Sequence, residues 1–144
     1  MDAREIEAMF QEDQSQWDRL VAMLEAHPEE SLHPPDSPTW TSRDVYSHLA
    51  RWMKLSTAQL EARLAGTPAP MAEGTDDEIN ARWQQKDSRL SLAEARAWAQ
   101  RAFEERIQAI RAVPSDRWDP RLEATARGDG AEHYASHREY VTVA

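Results

Sequence analysis

The sequence predicts an all-α protein: a four-helix bundle with long loops and one extra short helix. Three observations carry this prediction. Gly occurs only 4 times in 144 residues and the 8 Pro fall in a few clusters, so long Ala/Leu/Glu/Arg/Gln-rich stretches run without breakers. Four of those stretches repeat apolar residues at the spacing of one helix face. No stretch of useful length alternates apolar and polar residues as a half-buried strand does. Residues 1–144 suit a single domain with one core.

The first helix is expected over residues 2–26, where Ile6, Phe10, Trp17, Val21 and Leu24 form the apolar stripe and Pro28 ends it. Residues 31–40 hold Pro34, Pro35 and Pro38 and read as a stiff, extended connection. The second helix runs over 41–64 with Gly66 just beyond. Thr41 and Asp44 resemble a capping box with Asp in place of Glu. Val45, His48, Leu49, Trp52 and Leu55 then share a face, which puts His48 on the apolar side. After a Pro-rich loop over 65–74, the box Thr75-Asp76-Asp77-Glu78 starts a shorter helix to Lys86, offering Ile79 and Trp83. A further box, Ser91-Leu92-Ala93-Glu94, starts a helix to Ala112 with Ala95, Ala99, Ala102, Phe103, Ile107 and Ile110 inward. Pro114 stops it, and 115–130 read as a loop. Asp129 is the expected N-cap of a last helix over 131–143. Helices of these lengths bury a core best as a bundle. Connections of ~10–15 residues exceed bundle norms, so at least one is expected to cross over.

Composition removes several functions. Net charge is −9, and the 15 Arg are interleaved with acids, so the concentrated positive surface that nucleic acid requires is not expected. The same charge disfavours anionic membranes, and no apolar run approaches the ~18 residues of a bilayer span. The first five residues are acidic and helical in pattern, unlike a signal peptide. With no Cys there is no disulfide, thiolate ligand or cysteine nucleophile, which fits the cytoplasm.

The chemistry lies in three histidines. His133 and His137 are four residues apart in Glu132-His133-Tyr134-Ala135-Ser136-His137, a spacing that puts two imidazoles on one helix face with Cβ atoms ~5–6 Å apart. Glu132 precedes the pair and Tyr134 follows its first member, so the zinc-protease pattern is absent. Alone, the pair reads as solvated surface and His48 as a satisfied core residue. Together they suggest a three-imidazole metal site, because the other two histidines, His27 and His33, sit beside prolines in loops. Three such ligands leave a coordination position open, the catalytic pattern. A divalent metal is expected, zinc or nickel ahead of iron or manganese, since imidazole suits all of them.

Trp40-Thr41-Ser42-Arg43-Asp44-Val45-Tyr46-Ser47-His48-Leu49-Ala50-Arg51-Trp52 resembles the second-helix signature of the DinB-like superfamily, and His133-Tyr134-Ala135-Ser136-His137 resembles its C-terminal histidine pair. Asp77-Glu78-Ile79-Asn80 followed by Ser91-Leu92-Ala93-Glu94 resembles the ClbS/DfsB branch, related to the N-terminal domain of mycothiol-dependent maleylpyruvate isomerase. The resemblance covers roughly residues 40–141. It implies a four-helix bundle, often a homodimer, with a divalent metal on His48, His133 and His137. It also implies small-molecule chemistry of thiol S-transferase, isomerase or hydrolase type, in detoxification or stress, with a low-molecular-weight thiol as a partner in some members. The chain stops at Ala144, short of the second domain of the two-domain isomerases, which speaks against maleylpyruvate isomerisation itself.

Around such a site, Asp44, Glu132 and Glu139 are candidate partners for the ligand imidazoles, although Asp44 reads first as a cap and the glutamates as solvent-facing. Tyr46, Tyr134, Tyr140 and Asn80 are candidate substrate contacts, each more simply a packing or surface residue. Trp17, Trp52 and Trp98 fit core stripes, Trp40 staples the second helix, and Trp83 and Trp118 are candidates to border a pocket. Two other readings stand beside a metalloenzyme: a non-catalytic self-protection protein that binds a small molecule, and a helical interaction module with incidental histidines.

Overall fold

In the computed structural model, residues 1–29, 32 and 40–141 are described. His33, Pro34, Pro35 and Pro38, the Tyr140 side chain and the expected end of the last helix lie outside the described residues. The described residues form six α-helices: α1 (Ala3–Ala26), α2 (Ser42–Ala65), α3 (Asp76–Asp87), α4 (Leu92–Arg111), α5 (Pro120–Arg127) and α6 (Ala131–Tyr140). The architecture is the all-α bundle that the sequence predicts: α1, α2, α4 and α6 are its walls, and α3 is the extra short helix.

Local chemistry sets the helix ends. Asp2 and Glu5 cap α1 reciprocally, Glu5 N–H donating to Asp2 Oδ1 at 2.8 Å. At α2, Thr41 N–H donates to Asp44 Oδ2 at 2.9 Å, and Gly66 closes the other end in the left-handed region at φ 72°. Ser91 and Glu94 cap α4 in the same way as Asp2 and Glu5.

The structure corrects the expected loop over 115–130. It contains a 3-10 turn (Ser115–Arg117) and then α5. Asp119 accepts from Leu122 N–H at 2.8 Å, and Pro120 occupies the first turn, where its missing N–H costs nothing. Leu122 and Ala126, four apart, anchor α5 in the core. Asp129 is also corrected: Gly130, not Asp129, precedes α6, and the Asp129 backbone sits at φ 58°.

Helices α2 and α4 make the most extensive contact, and α1 packs along α6. The main core gathers Trp17, Leu20, Leu24, Leu49, Met53, Phe103 and Tyr134. Trp17 stacks on Phe103 at 4.8 Å and meets Tyr134 edge-on at 5.1 Å. A second cluster of Met9, Phe10, Leu60, Ile110, Val113 and Leu122 fills the other end. The buried face of α1 thus includes Met9 and Leu20, while Ile6 and Val21 are only partly covered. Pairing α1 with α6 brings the two ends of the described chain together, and this sets α6 beside the first turns of α2.

Candidate metal centre

His48 lies in the second turn of α2, and His133 and His137 lie on one face of α6. Their Nε2 atoms converge. His137 Nε2 is 3.0 Å from His48 Nε2 and 3.0 Å from His133 Nε2, and the third side is 3.2 Å. Nitrogens bound to one ion at ~2.0–2.1 Å stand ~3.3 Å apart at tetrahedral angles, so the triangle has the size that one cation needs. Among the described residues these three form the one group of metal-ligating side chains, and they could hold a metal ion.

The chemistry of the donor set points the same way. His133 Nδ1 is 3.1 Å from Asp129 Oδ1. A proton on Nδ1 facing the carboxylate leaves the Nε2 lone pair free. Nε2 lone pairs at 3.0–3.2 Å repel one another unless a cation or proton stands among them. Protonation is disfavoured: burial, then the charge of His133, pushes His137 down to about 3. Burial, then His137 and His133, holds His48 well below its ordinary value. Both rings are neutral near pH 7, the form that binds metals.

Asp129 is a site residue that sequence reasoning placed in another role. Its left-handed backbone, which Asp tolerates better than most residues, turns the carboxylate back toward α6. One oxygen faces His133 and the other accepts from the Ser56 hydroxyl of α2. A second unforeseen group holds α6 itself. Asp13 of α1 and Arg106 of α4, each 2% exposed, pair at 2.8 Å. Asp13 Oδ1 accepts from Ala131 N–H, the first residue of α6, at 2.9 Å. Arg106 also donates to Ala126 O at the end of α5. Gly130 is required there, because a Cβ would lie 2.5 Å from Arg106 Nη2 and 2.8 Å from Asp13 Oδ1. The carboxylate therefore does from another helix what an N-cap side chain does locally, and it suits the positive end of the α6 dipole.

Aromatic rings wall the triad. Trp40 lies 4.9 Å from the His48 ring and stacks with His137 at 6.4 Å, so it packs on two of the histidines besides preceding α2. Trp52 meets His48 edge-on at 6.4 Å and Trp83 of α3 at 5.0 Å. Asn80 accepts from Trp52 Nε1 at 2.8 Å. The gap beside His48, bounded by Trp40, Asn80 and Trp83, is too tight to hold a water molecule.

The remaining candidates fall elsewhere. Asp44 is engaged by Thr41 and Arg43, its capping role. Glu132 and Glu139 are exposed. Tyr46 is buried and donates to Glu25 at 2.7 Å; Tyr134 is buried against Met53. Trp17 is core, Trp98 packs at its edge, and Trp118 lies against the second cluster. His27 ends α1, and its carbonyl accepts from the Ser42 hydroxyl.

The family model of the mycothiol maleylpyruvate isomerase N-terminal domain matches residues 7–140. The chain belongs to that family. The family is part of the DinB-like superfamily, the relation that the sequence resemblance implies. No curated protein and no solved structure matches the chain. No helix among the described residues is long and apolar enough to cross a membrane.

Proposed function

We propose that the chain is a divalent-metal-dependent enzyme acting on a small molecule, of thiol S-transferase or hydrolase type, with His48, His133 and His137 as the metal ligands. The observation that carries this reading is the Nε2 triangle, with sides of 3.0, 3.0 and 3.2 Å, closed by two rings that burial keeps neutral. Zinc or nickel fits the all-imidazole set best, ahead of iron or manganese. When bound, the ion would supply a Lewis acid that lowers a water's pKa from 15.7 to about 7, or holds a thiol as its thiolate.

The chain's own residues supply the rest. The Asp129 carboxylate stands 3.1 Å from His133 Nδ1, where it favours a proton on that nitrogen, and the Ser56 hydroxyl donates to Asp129. Trp40, Trp52 and Trp83 keep bulk water from the rings, which strengthens electrostatic effects there. With no Cys in the sequence, thiol chemistry draws on an external low-molecular-weight thiol, and the family's link to mycothiol supports that class of partner. A homodimer belongs to the same reading, and light scattering checks it.

One observation favours a second reading, capture of a small molecule without turnover. The acids lining the gap are already committed, Asp44 to Arg43 and Thr41, and Asp87 to Nε and Nη2 of Arg51 at 2.9 and 2.7 Å. Among the described residues, that leaves no free carboxylate beside His48 as a general base. Turnover assays on metal-loaded protein, with small thiols against electrophiles and with activated esters, separate the two. Metal-dependent product formation that is lost in His137→Ala supports the enzyme. Stoichiometric binding without product supports capture.

A further inference from the structure

At the opposite end of α2, the chain builds a cleft of about 580 Å³ that is independent of the histidines. Three guanidinium groups line it: Arg63 from the last turn of α2, Arg117 from the 3-10 turn and Arg121 from the first turn of α5. Arg63 stands fifteen residues beyond His48 on the same helix, about 22 Å away at 1.5 Å per residue. In a chain of net charge −9, three like charges around one cavity are mutually repulsive unless something anionic enters.

The charges are unspent. Among the described residues, the Arg63 and Arg121 side chains make no ion pair and no hydrogen bond, and Arg63 Nε is a buried donor with no acceptor. Arg117 donates once, to Leu64 O at 3.1 Å. The one acid lining the cleft, Asp119, accepts from Leu122 N–H as the cap of α5. Met71, 76% exposed, and Leu122 give the cleft an apolar wall.

We propose that this cleft binds a phosphate monoester with a small apolar body. Three planar guanidinium forks offer more donors than one carboxylate can accept and match the three oxygens of a phosphoryl group. Three guanidinium groups and the Asp119 carboxylate leave the cleft a net charge of about +2, which the charge of about −1.5 to −2 on a monoester offsets. A cavity of this size suits a small ligand. The proposal does not depend on the metal reading, since no residue is shared.

The test uses phenyl phosphate, titrated calorimetrically at low salt into metal-free and metal-loaded protein. Saturable 1:1 binding is expected in both. Arg63→Gln and Arg121→Gln should each weaken it at least tenfold, and the Lys variants less, because charge survives while the fork is lost. These side chains hold nothing else in place, so circular dichroism should be unchanged. His48→Ala should bind phenyl phosphate as the parent does, and benzoate and inorganic phosphate should bind the parent more weakly. Absence of saturable binding, equal affinity in the Gln variants, loss in His48→Ala, or equal binding of benzoate or inorganic phosphate would each overturn the assignment.

Discussion

Asp129 and His133 show how one residue's backbone can decide another's chemistry. His133 side chain is 23% exposed, and on α6 alone it would be an ordinary surface imidazole. The Asp129 carboxylate, 3.1 Å from Nδ1, favours a proton on that nitrogen, which leaves Nε2 free toward the other two rings. Asp129→Asn should lower metal affinity ~10–100-fold with helicity retained, as measured by chelator competition. His48→Ala and His137→Ala should each abolish tight binding. Acid sensitivity follows from the same residues. His137 is held down to about 3 and His48 well below its ordinary value, whereas in the unfolded chain both titrate near ~6.5. Below that pH the unfolded state binds more protons, so these groups' contribution to metal-free stability is complete above pH ~6.5 and is lost as pH falls toward about 3. Urea midpoints measured across this range should fall with pH, and a flat profile would contradict the burial argument. At this scale the convergence of the three histidines was legible, because His48 sits on an apolar face and His133 and His137 are in register. The role of Asp129 was not, because a left-handed φ at a non-glycine residue leaves no mark in a single sequence.

Among the elements, α6 is the one whose placement matters most, and distant residues place it. The Asp13–Arg106 pair is 2% exposed on both sides. Removing one partner from such a pair strands a buried charge and costs ~3–5 kcal/mol. Arg106→Met should therefore destabilise the fold strongly in urea, and it should loosen metal binding in whatever protein remains folded, because Asp13 loses the partner that holds it at Ala131 N–H. Asp119→Ala, which removes the α5 cap, should cost only ~1 kcal/mol and leave the histidines unmoved. The contrast is measurable by denaturant titration alongside metal affinity. Part of this was open to sequence reading. Asp13 lies three residues after Phe10 and four before Trp17, and Arg106 lies three after Phe103 and four before Ile110, so each puts a charge in an apolar stripe. Two opposite charges in two core faces are a pairing signal. The Asp119-Pro120 start of α5 was equally visible, but its eight residues carry too short a period to stand out from a loop.

For the whole molecule, the bundle and its capped helices followed from periodicity and breakers. The long connections were expected as well, but the paths they take were not, since loop paths depend on packing between distant residues. The site joins α2 to α6 through residues 85 positions apart, so a bound ion would cross-link the fold and bind the native state alone. At a free metal concentration 1,000 times the dissociation constant, that linkage adds ~4 kcal/mol of stability and should raise Tm, an increment expected to vanish in His48→Ala. The most direct check is elemental analysis of tag-free protein after reloading with zinc or nickel and removal of excess metal. The account predicts about one divalent ion per chain, falling to none in His48→Ala and His137→Ala. Protein that stays metal-free after reloading, or variants that retain the ion, would contradict it.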